Sequence, residues 1–174
     1  MKIEQIAHRI PKSEITVLAK SINSEPAKIQ LLIDAVASPL KTVQFNAIWI
    51  LRSVYEANPN LLKKDIPLLV GLLKKHPEDV VQRNILAMLQ HQKQLPKVVW
   101  DDLANICFNA LEQNSTPTAI RVFAMDTAFQ LLKYFPELVN ELIVLVEDHL
   151  PVATTGFKNR AGKLLPKLYN IKAK

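Results

Sequence analysis

The sequence predicts an all-α fold: a solenoid of about four stacked helix pairs, closed at its N-terminal end by a short helical cap. Three observations carry this expectation. A short signature recurs as Val43-Gln44-x-x-Ala47, Val81-Gln82-x-x-Ile85, Ile120-Arg121-x-x-Ala124 and Phe157-Lys158-x-x-Ala161, with first positions 38, 39 and 37 residues apart. A proline stands shortly before each copy, at Pro39, Pro77, Pro117 and Pro151. No stretch alternates apolar and polar residues long enough to form a half-buried strand.

Taken in order, residues 1–23 hold two short amphipathic pieces, IEQIAHRI and SEITVLAKSI, split by Pro11. They read as the cap, because an end unit has no neighbour to cover its apolar face. Each pair then opens with an amphipathic helix, at about 25–37, 60–75, 96–113 and 136–149. The second helix follows its proline, a residue tolerated in a first helical turn because the N–H it lacks would have no partner there. Ser38 and Thr116 are N-cap candidates. From the first residue of the signature, apolar or small residues recur at offsets 0, 4, 7, 8 and 11, which share one helix face. These are Val43, Ala47, Ile50, Leu51 and Val54, then Val81, Ile85, Met88 and Leu89. The third copy has Ile120, Ala124, Thr127, Ala128 and Leu131, and the fourth has Phe157, Ala161, Leu164, Leu165 and Leu168. The pairs span about 24–58, 59–92, 95–135 and 136–170 within a single domain, 1–174.

On these residues the chain resembles HEAT-repeat proteins, whose units are antiparallel helix pairs of this length and whose second helix often carries Val-Arg-x-x-Ala. Ile120-Arg121-x-x-Ala124 is the nearest match; Gln44, Gln82 and Lys158 replace the arginine elsewhere, and the aspartate that commonly precedes the motif is missing. The whole-chain pattern is similar to that of small free-standing bacterial members of the family. The resemblance implies a right-handed α-α superhelix with the second helices along its concave side. It also implies a scaffold rather than an enzyme, although fold alone does not assign function.

Composition narrows the chemistry. With 174 residues, 49% of them apolar, the chain can bury a real core. The single cysteine, Cys107, excludes an intrachain disulfide and sits in the apolar run NICFNAL, where a buried thiol is the ordinary outcome. The N-terminus has charges where a signal peptide needs an apolar core, and no run has the length and purity of a membrane span, so a cytoplasmic protein is expected. His8, His76, His91 and His149 are scattered without ligand spacing, so no metal is expected. Gly71, Gly156 and Gly162 are isolated, so no loop cradles a phosphate and no cofactor is expected. Asp101 and Asp102 fall at a helix start, where carboxylates complement the dipole, rather than forming a catalytic pair.

The charges sort by helix. The second helices hold nine basic against four acidic residues, the first helices six against ten. That split should steer acidic ligands to the second helices. Offsets 2, 6, 9 and 13 point away from the core stripe, and they hold Phe45, Trp49, Arg52 and Glu56 in the first copy. The later copies place Arg83, Ala87 and Gln90, then Val122, Asp126, Phe129 and Lys133, then Asn159, Lys163 and Pro166 there. Aromatic and arginine side chains on an open face suit protein recognition. The expected function is therefore a non-enzymatic scaffold or adaptor that binds an acidic protein partner through Phe45, Trp49, Arg52, Arg83, Arg121, Phe129, Lys133 and Lys163. Against this, the cap could fold over Phe45 and Trp49. The alternative partner is nucleic acid on the basic second helices. It includes a likeness to HEAT-like alkylpurine DNA glycosylases, for which Trp49, Trp100, Arg121 and Asp126 offer the residue types but no matching motif.

Overall fold

The computed structural model describes residues 3–22 and 25–173, and among them there are helices and turns but no strand. The chain divides into two compact units, Met1–Leu95 and Pro96–Lys174, so the division falls between the second and third helix pairs.

The N-terminal unit begins with a 3-10 turn at Ile3–Ile6 and helix α1 at Lys12–Ile22. The first pair is α2, Pro26–Val36, and α3, Lys41–Ala57. The second is a 3-10 turn, Pro59–Lys64, with α4, Ile66–Lys75, followed by α5, Asp79–Leu89. Helix α3 is the hub: α1, α2, α5 and both 3-10 turns pack on it. This is why residues 43–51, VQFNAIWIL, are apolar beyond one stripe. Val43, Ala47, Ile50, Leu51 and Val54 are buried as the offsets require, and Ile48 is buried as well. The covering N-terminal segment is tied down by Asn46, whose Nδ2 donates to the carbonyls of Ile6 (3.0 Å) and His8 (2.7 Å).

The expected helix over 60–75 is broken at Asp65. Pro67 lies in the first turn of α4, and a proline there forces the helix to start afresh. The buried Tyr55 hydroxyl donates to Asp65 Oδ2 at 2.7 Å and holds the break against α3. Burial raises the Tyr55 pKa above the usual phenol range, and the hydrogen bond to Asp65 adds to this.

The C-terminal unit holds α6, Trp100–Glu112, α7, Thr118–Leu131, α8, Val139–His149, and α9, Thr155–Lys172. Short 3-10 turns lead into α6 and α8 after Pro96 and from Pro136. Helix α7 packs on α6, α8 and α9. Ile120, Ala124, Thr127, Ala128 and Leu131 are buried, as are Phe157, Ala161, Leu164 and Leu168, while Leu165 is half-buried at the edge of its stripe. Cys107 is fully buried, and burial pushes its thiol pKa well up.

Three local expectations need correction. Neither Ser38 nor Thr116 is an N-cap: those positions belong to Leu40 and Pro117. The side-chain cap is Thr154, whose hydroxyl accepts from the Phe157 N–H at 3.5 Å at the head of α9. Ala87 and Asp126 are buried rather than open. Asp126 is drawn into a pair with Arg160.

Candidate functional site

In the N-terminal unit, α3 and α5 lie side by side and bring four of the expected residues together. Phe45 and Trp49 are one helical turn apart on α3, with ring centroids 6.1 Å apart and planes inclined at 45°. Phe45 is 44% exposed, although α1 and the N-terminal 3-10 turn pack on the same helix. Trp49 is half-buried, and its indole Nε1–H is inaccessible and has no acceptor among the described residues.

Two guanidinium groups flank the indole. Arg52, on the same helix, lies 5.7 Å from the ring centroid, and Arg83, from α5, lies 5.5 Å away. Cations are attracted to the negative face of an indole. Arg52 is further held by Glu56 Oε1 at 2.7 Å and by Asn84 Oδ1 at 3.2 Å. Asn84 is itself buried and anchored through Nδ2 to the Val80 carbonyl at 2.7 Å. Arg83 forms no ion pair among the described residues, so the patch keeps an uncompensated positive charge beside an aromatic surface.

In the C-terminal unit the expected residues do not gather in this way. Arg121 stacks over Phe157 at 4.8 Å, with Nε and one terminal nitrogen buried and without acceptors among the described residues. Desolvation lowers its pKa below the ordinary arginine value. Phe129 is half-buried, Lys133 is exposed with Nζ 4.8 Å from the Tyr134 ring, and Lys163 is exposed on α9. An aromatic group that the repeat offsets do not mark forms instead around Trp100, which stacks on Tyr134 (3.8 Å, 17°) and meets Phe135 edge-on (6.2 Å, 84°). Tyr134 and Phe135 follow the end of α7, outside the helical period, so offsets could not locate them.

Among the described residues, no three His, Cys, Asp or Glu side chains are grouped to hold a metal ion, and no helix is long and apolar enough to cross a membrane. The arrangement offers hydrophobic contact, cation–π contact and hydrogen-bond donors. A family model described as a HEAT repeat domain matches residues 3–159. The chain belongs to the HEAT repeat family. No curated protein and no solved structure matches it.

Within this HEAT repeat chain, the position after the first signature residue is a carbonyl-bonding glutamine in the first two copies and a ring-covering arginine in the third. Gln44 is buried and its Nε2 donates to the Val36 carbonyl at 3.1 Å, closing the end of α2 onto α3. Gln82 reaches the Pro77 carbonyl at 3.4 Å, and Arg121 covers Phe157. A glutamine suits an inter-helix turn because it supplies a donor without burying a charge.

Proposed function

We propose that this HEAT repeat scaffold binds a protein partner in the cytoplasm without catalysing a reaction, and that Phe45 and Trp49 are its hydrophobic anchors, with Arg52 and Arg83 meeting acidic residues of the partner. The observation that carries this reading is the exposed Phe45 beside a half-buried Trp49 held between two arginines, of which Arg83 forms no ion pair among the described residues. Aromatic and arginine side chains supply most of the energy at protein interfaces. The α3 backbone is fixed by packing on several sides, so little ordering would accompany binding there. The basic second helices add long-range attraction for an acidic partner. Parallel capture from native cytosol with wild-type and Trp49→Ala chains tests the reading. The partner retained by the wild type should be lost by the variant, and equal retention would refute the assignment.

A second reading is nucleic-acid binding. It is favoured by Lys158, Lys163 and Lys167 on α9, which are exposed and form no ion pair among the described residues.

A further inference from the structure

Two of the first helices expose a large apolar residue on their outward side: Leu68 of α4 is 48% exposed and Val144 of α8 is 53% exposed. On α4, helical spacing puts Leu68, Gly71 and Lys75 on one face, opposite buried Ile66, Leu69, Val70 and Leu73. On α8 it puts Glu141, Val144 and Asp148 on one face, opposite buried Val139, Leu142, Ile143 and Val146. Helix α4 packs on α2 and α5, and α8 packs on α6, α7 and α9. Those contacts leave Leu68, Lys75, Glu141, Val144 and Asp148 exposed.

The two faces are opposite in charge. Seven of the ten acidic residues of the first helices lie in the C-terminal unit, where Lys97 is the one basic residue they face in sequence. Helix α4 and the turn before it run the other way, with Lys63, Lys64, Lys74 and Lys75 against Asp65, which is buried. Lys75, Glu141 and Asp148 form no ion pair among the described residues. An exposed apolar residue flanked by charge of one sign is complementary to one flanked by the other.

Gly71 is an independent observation. Glycine is the poorest helix former after proline. A Cβ added at Gly71 would meet no atom within 4 Å, so packing inside the chain does not call for a glycine there. The missing side chain leaves a notch beside Leu68, and a notch of this kind lets a second helix approach closely.

We infer that the α4 face docks on the α8 face of a second copy of this chain, with Val144 seated in the notch at Gly71 against Leu68 and Lys75 paired with a carboxylate. Glu141 and Asp148 stand one turn to either side of Val144, and Lys75 stands one turn from Gly71, so either direction of crossing gives Lys75 a partner. The contact is heterologous, because each copy offers one face of each kind. It uses neither Phe45 nor Trp49.

The test is sedimentation velocity of the full chain over a concentration series. At low salt the average mass should rise above that of one chain as concentration increases. At about 1 M salt, where the screening length is about 3 Å, it should fall back toward that of one chain. Lys75→Glu should weaken association about tenfold or more, since repulsion replaces attraction. The double variant Glu141→Lys with Asp148→Lys should be impaired likewise, and mixing it with the Lys75→Glu chain should restore a complex. Gly71→Gln should weaken association about tenfold without lowering the melting temperature, because it fills the notch at a position open to solvent. Trp49→Ala should leave association unchanged. The inference is overturned if the chain keeps single-chain mass at millimolar concentration and low salt, or if association is equal at both salts. It is also overturned if Lys75→Glu and Gly71→Gln both associate as wild type, if the mixed variants form no complex, or if Trp49→Ala abolishes association.

Discussion

Glu78 stands at the head of α5 and receives Lys41 Nζ at 2.6 Å, a contact across 37 residues that joins the starts of α3 and α5. The Lys41 hydrogen bond holds the Glu78 pKa below the ordinary carboxylate value, and a bond from its own backbone N–H assists. Because the folded value is depressed, the contribution to stability is complete above the unfolded carboxylate pKa and disappears as pH falls through the folded one. Glu78→Gln should therefore destabilise by about 0.5 kcal/mol at pH 7, the scale of an exposed pair. Denaturant melts of both proteins should converge in acid. Ala124 is fully buried where α7 meets its neighbours, and a larger side chain has nowhere to go. Ala124→Leu should cost about 1–3 kcal/mol by overpacking, read as a lower denaturant midpoint at unchanged slope.

At the scale of elements, the N-terminal segment depends on one polar tie. Asn46→Ala would remove the donor shared by the Ile6 and His8 carbonyls and leave both acceptors to find water. We expect about 1–3 kcal/mol of destabilisation and faster amide exchange over residues 3–22, with exchange in α4 unaffected. That tie was not legible in the sequence. A single polar residue at offset 3 breaks no period, and its partners are backbone carbonyls some forty residues away. The core stripes were legible because four copies repeat one spacing, and the approach of Arg83 to Trp49 follows from Phe45 and Arg83 sharing offset 2. Asp126 and Arg121 show the limit. Their offsets describe the helix they sit on, whereas their burial is decided by Arg160 and Phe157 on another helix. The 3-10 turns were also hidden, since a helix restarting at Pro67 and one continuous from residue 60 share the same apolar spacing.

At the scale of the whole molecule, the formal net charge of +6 is concentrated on the second helices of the repeats. If those helices bound a phosphate backbone, affinity would fall steeply with salt, and Arg83, Arg121 and Lys163 changed together to glutamine would lower both affinity and salt slope. We expect only weak, sequence-independent binding to a DNA or RNA oligonucleotide at low salt. Tight binding that survives physiological salt would favour the nucleic-acid reading over the protein one. The role of Trp49 is tested most directly by measuring the affinity of the Trp49→Ala variant for the captured partner together with its unfolding free energy. A recognition anchor predicts a loss of about 2 kcal/mol or more in binding with a melting temperature that barely moves. A loss of about 3–5 kcal/mol in folding stability would instead make Trp49 part of the core and contradict the account.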